Sequence, residues 1–149
     1  MLELLPSKGD LGAAEVRIFN RTHLRADQLA AALAGHVKPK LVVYGEADWA
    51  RAASDAALLV HTTSAGMKGA PSLDLDLAAL PKDAAVCDIV YNPLETPLLA
   101  RARAAGLRTV DGLGMLMHQG VPAFAAFFGV APQVTPALRR HLEEALRAR

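Results

Sequence analysis

The sequence is poor in the features that mark several large classes of protein. Its 149 residues include one cysteine, Cys87, so no disulfide can form within the chain, and this thiol is expected to be a core residue in a reducing compartment. The net charge is only +1 and the basic residues are dispersed, which argues against nucleic acid and acidic membranes as partners. No apolar run approaches the ~18 residues of a membrane span, and residues 1–10 lack the basic start of a signal peptide. We therefore expect a cytoplasmic protein.

What the sequence does contain is an apolar pattern that switches repeatedly between strand-like and helix-like segments. This alternation is typical of an α/β domain with a parallel sheet covered by helices on both faces. Each predicted strand is short and is bounded by polar or turn residues. The predicted strands lie at about residues 15–19, 41–44, 58–61, 85–90 and 108–110.

Three predicted helices begin at threonines that can cap the first turn. Thr22 precedes a helix to about residue 34, Thr96 precedes one to about residue 105, and Thr135 precedes the last helix of the chain. The last helix carries leucines four residues apart, so one of its faces must pack on something: Leu138, Leu142 and Leu146.

Two arginines follow the first predicted strand, at residues 15–19. This is where a doubly wound nucleotide-binding domain reads the ribose of its cofactor. Arg21 and Arg25 would pair with a ribose 2′-phosphate through charge-assisted hydrogen bonds, whereas an acidic side chain would bind a free 2′-hydroxyl. Asn20 and Thr22 add neutral donors. The pattern favours NADP over NAD, and the alternative is a helix start with exposed arginines.

Three more segments follow predicted strands: residues 62–67 (TTSAGM), 88–99 (DIVYNPLETPLL) and 111–120 (DGLGMLMHQG). Together with residues 20–25 they resemble shikimate dehydrogenase, and the resemblance covers nearly everything after residue 12. It implies a Rossmann-like fold that binds NADP. It also implies reversible hydride transfer between NADP and a hydroxyl-bearing carbon, which interconverts shikimate and 3-dehydroshikimate in aromatic amino acid biosynthesis.

The resemblance also implies contacts for individual residues on the adenosine side of the cofactor. The 2′-phosphate positions of the family match Asn20, Arg21, Thr22 and Arg25 one by one. The loop that contains Thr63, Ser64 and Met67 would lie along the cofactor. Thr63 would be on its pyrophosphate or ribose side, and Met67 near the adenine or the nicotinamide.

At the nicotinamide end, the resemblance implies that Ile89 borders the ring, that the Gly112 carbonyl accepts a hydrogen bond from the amide, and that Met115 packs on the ring. Tyr91 would reach the region of the substrate carboxylate, and Gln119 would hydrogen-bond the hydroxyls of shikimate. No residue matches the family's catalytic lysine, so no catalytic residue is assigned. No cluster of histidine, cysteine or carboxylates has the spacing of a metal site.

His61 is a departure from the family, which usually has asparagine at this position. The change puts in doubt one hydrogen bond that fixes the backbone at the end of a strand. A lone histidine at the end of an apolar strand is expected to be structural rather than catalytic.

Two parts of the family pattern find no match in these 149 residues: the N-terminal substrate domain and the glycine-rich turn that opens the dinucleotide fold. We therefore expect an unmatched segment at residues 1–14, followed by a partial NADP-binding domain at residues 15–149 that lacks its first strand, glycine-rich turn and first helix. The strands at 15–19 and 58–61 would face a gap. Residues 2–5 could enter it, but the connection after them is too short for a parallel crossover. We expect either a perturbed sheet or a strand supplied by a partner chain or a second copy.

Three functional interpretations follow. The chain is the NADP-binding portion of a shikimate dehydrogenase, inactive alone and weak in cofactor affinity, or it is one subunit of a split enzyme. The third is a non-catalytic interaction module or gene remnant, in which the last helix and the open sheet edges bind another protein. Quinate stays an alternative to shikimate as the substrate.

Overall fold

A computed structural model describes residues 2–5 and 12–148 of the chain. Within these residues, strands and helices alternate along the chain. The strands are β1 (Leu2–Leu5), β2 (Glu15–Phe19), β3 (Lys40–Tyr44), β4 (Leu58–His61), β5 (Ala85–Asp88) and β6 (Arg108–Val110). The helices are α1 (His23–Leu33), α2 (Trp49–Ala53), α3 (Pro97–Ala104), α4 (Gly112–Phe128) and α5 (Pro136–Arg147).

The six described strands form one sheet in the order β3-β2-β1-β4-β5-β6. β2 pairs in parallel with β3, and β4, β5 and β6 pair in parallel with one another. β1 is antiparallel to both of its neighbours, β2 and β4. Five strands therefore point the same way, and their carboxyl ends lie along one edge of the sheet, which is where doubly wound folds bind their ligands.

β1 fills the central gap that the sequence left open. It runs opposite to the other strands. Of the two expectations, a perturbed sheet or a strand supplied by another chain, the structure shows the first, because the filling strand comes from this chain. The direction follows from length, because a parallel crossover needs about ten or more residues, whereas an antiparallel strand can follow a short turn. Residues 6–11 of that connection lie outside the described residues, as do residues 1 and 149.

The remaining strand and helix bounds agree with the structure to within about two residues. Thr96 and Thr135 cap α3 and α5 as predicted, but among the described residues the Thr22 side chain makes no capping hydrogen bond to α1. β5 ends at Asp88 rather than residue 90 because the Val90 amide donates to the Asp88 carboxylate at 3.0 Å instead of continuing the strand. Two helices were not among the three predicted from the sequence: α2, which has only five residues, and α4. Among the described residues no helix combines the length and the apolar character needed to cross a bilayer.

The main core lies between the sheet and the helices α2 and α3. Its fully buried side chains include Leu59 on β4 and Val86 on β5. Small residues allow α2 and α3 to approach the strands closely: Ala52, Ala53 and Ala102. Burying this apolar surface stabilises the strands whose carboxyl ends carry the candidate site.

Candidate functional site

All of the predicted site residues follow the carboxyl ends of four parallel strands. β2 leads to residues 20–25, β4 to residues 62–67, β5 to residues 89–91 and β6 to residues 111–119. Because these ends share one edge of the sheet, segments far apart in the sequence meet on one side of the molecule.

The segments after β2 and β4 line a cavity of about 790 Å³. We call it the ribose-side cavity, because it contains the residues predicted to read the ribose. Six predicted cofactor contacts line it: Asn20, Arg21, Thr22, Arg25, Thr63 and Ser64. The structure thus brings together two groups of residues that are about 40 positions apart in the sequence.

The two arginines of this cavity are available to a ligand. Arg21 and Arg25 are exposed, and within the described residues neither guanidinium forms an ion pair. The turn that presents them is held by Asn20, whose Oδ1 accepts a hydrogen bond from the Thr22 amide at 2.8 Å. An anion entering the cavity would therefore meet two guanidinium groups that the described residues leave unpaired. Three carboxylates also line the cavity, those of Glu46, Asp74 and Asp76.

One wall of the ribose-side cavity is aromatic, a feature that was not expected from the sequence. Phe19 and Trp49 pack edge to face with their ring centroids 5.5 Å apart. The Trp49 indole nitrogen donates to the Asp76 carbonyl at 2.8 Å, which anchors the wall to the segment after β4. The chain has a single tryptophan, next to a short acidic stretch, and that was the signal available in the sequence.

The loop after β4 is shaped by Gly66, which is buried and has φ near +80°. Other residues rarely adopt this φ, so glycine is required here. The Gly66 amide donates to the Pro71 carbonyl at 2.8 Å. Beyond this turn, Met67 lines a different cavity, of about 510 Å³, bounded by the segment after β5 and by α5. Met67 is therefore separated from Thr63 and Ser64, which line the ribose-side cavity.

Gly112 begins α4 in close contact with the end of β5. A Cβ atom at this position would lie only 2.1 Å from the Ile89 carbonyl oxygen. The structure thus places Ile89 and Gly112 side by side, as expected if both border one ligand. Among the other predicted contacts, Tyr91, Met115 and Gln119 are exposed and line neither of the two cavities. Their contacts to nicotinamide and substrate stay predictions.

The N-terminus of α4 is held by an ion pair to α5. Asp111 caps α4 by accepting from the Leu113 amide at 3.1 Å, and it accepts a bidentate pair from Arg139, with Nη2 to Oδ2 at 2.6 Å. These hydrogen bonds raise the pKa of Arg139 above its usual value.

On β5, burial raises the pKa of the Cys87 thiol, which therefore stays protonated at neutral pH. The described residues contain no group of three or more His, Cys, Asp or Glu placed to hold a metal ion.

A buried polar network joins the two middle loops of the site. His61 and Asp88 are both fully buried, and His61 Nδ1 lies 2.9 Å from Asp88 Oδ1. Thr96 donates to the second oxygen of Asp88 at 2.7 Å. His61 is structural, as predicted, but its role as the link between the loops was missed. The signal was its position, because His61 and Asp88 are the last residues of adjacent parallel strands and pair in register.

Comparisons with known proteins agree with this geometry. No protein-family model matches the chain. A curated NADP-dependent shikimate dehydrogenase from Rhodospirillum rubrum is 58% identical over 132 residues, which are 87% of this chain and 46% of that protein. The chain is homologous to the C-terminal part of shikimate dehydrogenases. It spans less than half the length of the curated relatives that it matches.

Solved structures give the same result. Quinate dehydrogenase from Corynebacterium glutamicum in complex with NAD matches with a TM-score of 0.75 and 31% identity, over 93% of this chain and 48% of that one. Shikimate 5-dehydrogenase from Thermus thermophilus in complex with NADP(H) and shikimate matches with a TM-score of 0.66 and 32% identity, over 89% and 45%. The resemblance and the Rossmann-like α/β fold predicted from the sequence are confirmed.

Proposed function

We propose that this chain is the NADP-binding portion of a shikimate dehydrogenase. The observation that carries the proposal is the ribose-side cavity, in which Arg21 and Arg25, unpaired within the part of the chain that the structure describes, lie beside Thr63 and Ser64. A 2′-phosphate would pair with the guanidinium groups, and Asn20 and Thr22 would add neutral hydrogen bonds. The homology to enzymes named for NADP supports the same cofactor.

The hydride chemistry would be supplied by the bound NADP, and the residues of this chain would orient it. Ile89, Gly112, Met115 and Met67 would border the cofactor beyond its ribose. Tyr91 and Gln119 would contact shikimate or 3-dehydroshikimate, with quinate as an alternative that the similarity to a quinate dehydrogenase keeps open. Hydride transfer also needs a group that accepts the hydroxyl proton. We assign no such group in these 149 residues, and we expect an isolated polypeptide of this sequence to be inactive.

Calorimetric titration with NADP, using NAD as the control, tests the cofactor assignment. We expect saturable binding that prefers NADP. The affinity should be weak, because the sequence contains no match to the family's glycine-rich turn. The amides of that turn would bind the pyrophosphate. Binding of NAD as tightly as NADP by the folded chain would refute the assignment.

A pair of variants tests which residues provide the preference. Replacing both arginines, as R21Q with R25Q, is expected to weaken NADP binding by roughly tenfold or more and to leave NAD binding nearly unchanged, because charge-assisted hydrogen bonds are lost. R140Q is the matched control, since Arg140 is exposed on α5 and does not line the cavity. A similar effect of R140Q would indicate a general loss of positive charge rather than a specific site.

A second candidate function is that of one subunit of a split enzyme, or of a non-catalytic interaction module. It is favoured by apolar exposure at the C-terminal end of α4, where Phe127 and Phe128 are 84% and 67% exposed. Monomeric proteins rarely leave adjacent large apolar side chains in water without a partner. The test is to mix the chain with the separately produced N-terminal half of the Rhodospirillum rubrum enzyme and to measure shikimate oxidation and sedimentation. Activity on mixing favours the split enzyme, and association without activity favours the interaction module. If the two chains show neither activity nor association, only the first proposal, an NADP-binding portion, is supported.

We also propose that the protein works in the cytoplasm. The proposal is supported by the single half-buried cysteine and by the homology to biosynthetic dehydrogenases. Fractionation of cells that express a tagged chain would test it.

A further inference from the structure

The buried network around His61 reaches the ribose-side cavity through one hydroxyl group. His61 Nε2 is in hydrogen-bonding contact with Thr63 Oγ1, and Thr63 lines the cavity. The same oxygen accepts a hydrogen bond from the Ala65 amide at 3.1 Å. On the other side of the ring, His61 contacts Asp88.

The direction of each hydrogen bond follows from the chemistry of the groups. An ionised carboxylate only accepts, and Asp88 is surrounded by donors, namely the Val90 amide at 3.0 Å and the Thr96 hydroxyl at 2.7 Å. Nδ1 of His61 must therefore carry a proton toward Asp88. If the ring is neutral, the other nitrogen, Nε2, is an acceptor, and the Thr63 hydroxyl donates its proton to it; in a charged ring Nε2 would donate instead.

This arrangement determines what Thr63 can offer to a ligand. Its single proton is used by His61, and one lone pair is used by Ala65. One lone pair remains, so toward the cavity Thr63 is an acceptor and not a donor. Phosphate oxygens, which accept hydrogen bonds, would find no partner in this group, whereas a ribose hydroxyl would.

We propose that His61 is a positioning residue of the cofactor cavity: it holds the Thr63 hydroxyl as an acceptor, which recognises a ribose hydroxyl of the bound nucleotide rather than its phosphates. The inference rests on the proposed function for the ligand. The recognition is then divided, with Arg21 and Arg25 binding phosphate and Thr63 binding sugar. Of the two locations that the sequence left open for Thr63, the proposal favours the ribose side.

The tautomer of His61 can be measured without any ligand. The ¹⁵N chemical shifts of its ring at neutral pH are expected to show a proton on Nδ1 and a lone pair on Nε2. A proton on Nε2, in either the neutral or the charged ring, would overturn the inference, because Thr63 would then be free to donate into the cavity. This measurement stands even if the chain binds no cofactor.

Binding of NADP to variants tests the link between His61 and Thr63. H61N retains an amide that can donate to Asp88 but is too short to reach Thr63, and T63V removes the hydroxyl. Each is expected to weaken NADP binding about 2- to 10-fold, the range for one net hydrogen bond. Because both changes disrupt the same interaction, the double variant should bind about as well as the weaker single variant.

Rescue and control variants separate positioning from loss of stability. T63S retains the hydroxyl and H61Q can present an amide oxygen to it, so both are expected to bind NADP within about twofold of the unchanged chain. H36N is the matched control, since His36 is exposed and outside the network. Thermal unfolding of every variant confirms that the folded state is being titrated.

The outcomes distinguish the inference from the proposed function. If the unchanged chain binds no NADP, the proposed function fails, and the ribose contact fails with it. If it binds NADP but folded H61N binds equally well, or if the losses from H61N and T63V multiply in the double variant, the proposed function stands and the positioning role of His61 is overturned.

Discussion

Arg17 lies almost fully buried on β2, and the carboxylates around it make stability depend on pH. Its guanidinium donates to the Ala52 carbonyl at 2.8 Å, to Glu15 at 2.7 Å and to Asp55 Oδ2 at 3.1 Å. The hydrogen bonds from Arg17 hold the pKa values of Glu15 and Asp55 below their usual range. Carboxyl groups with a lowered folded-state pKa stabilise the protein above their unfolded pKa, and this stabilisation is lost as the pH falls through the folded pKa.

We expect R17M to lower the free energy of unfolding by about 1–3 kcal/mol at neutral pH, because the protein loses a buried hydrogen bond to Ala52 and charged hydrogen bonds to Glu15 and to the largely exposed Asp55. The decline in stability between roughly pH 5 and pH 3 should be shallower in R17M, since the carboxyl groups no longer have lowered pKa values. Urea unfolding across this pH range measures both effects. R103M is the control, because the ion pair of Arg103 with Glu95 is exposed; an equal effect there would contradict the role of burial.

Individual site residues differ in how far the sequence alone reveals their roles. Arg21 and Arg25 could be assigned from the sequence because a charge beside a strand end has an evident ligand. His61 could not be given its link to Asp88, because that link needs the register between β4 and β5, which local sequence does not encode.

At the scale of elements, the first turn of α4 offers two glycines with opposite requirements. A Cβ on Gly112 would lie 2.1 Å from the Ile89 carbonyl oxygen, whereas a Cβ on Gly114 would meet nothing within 4 Å. Gly112 therefore permits the contact between α4 and β5, and Gly114 only weakens the helix.

We expect G112A to destabilise the protein by about 1–3 kcal/mol, because either α4 or the end of β5 must move. G114A should instead stabilise it by up to about 1 kcal/mol, through helix propensity. Denaturant unfolding of the two variants measures the difference. Equal effects of the two substitutions would show that the contact between Gly112 and Ile89 is not required.

The ion pair between Asp111 and Arg139 is predicted to fasten α5 to the first turn of α4. R139M should increase amide hydrogen exchange in α5 and cost about 0.5–1 kcal/mol, a modest value because both side chains are partly exposed. R140M, which alters the neighbouring exposed arginine, should leave the exchange unchanged. Unchanged exchange in R139M would mean that apolar contacts alone hold α5.

At the scale of the whole molecule, β1 decides whether there is one sheet or two halves. It pairs with β2 on one side and with β4 on the other, so without it both inner strands would present unpaired backbone. The central position that a parallel first strand takes in a complete dinucleotide fold is taken here by one short antiparallel strand.

We expect E3P to lower the midpoint of thermal unfolding by several degrees and to promote concentration-dependent association. Proline removes one amide from the central strand, so β1 loses a hydrogen bond to one of its two neighbours and the pairing that joins β2 to β4 is weakened. Calorimetry and analytical ultracentrifugation measure the two effects, with E3T as the control that retains the amide. A monomeric E3P chain of unchanged stability would show that the sheet does not need β1.

The sequence by itself determined the strands, the capped helices and the residues that follow each strand end. These depend on apolar periodicity and on turn and cap residues, which act over a few positions. The direction of β1, the aromatic wall at Trp49 and the separation of Met67 from Thr63 were decided only by the tertiary structure. Each results from the way distant segments share limited space and satisfy buried hydrogen bonds, and the His61 network is the clearest case, because its members become neighbours only when β4 and β5 pair.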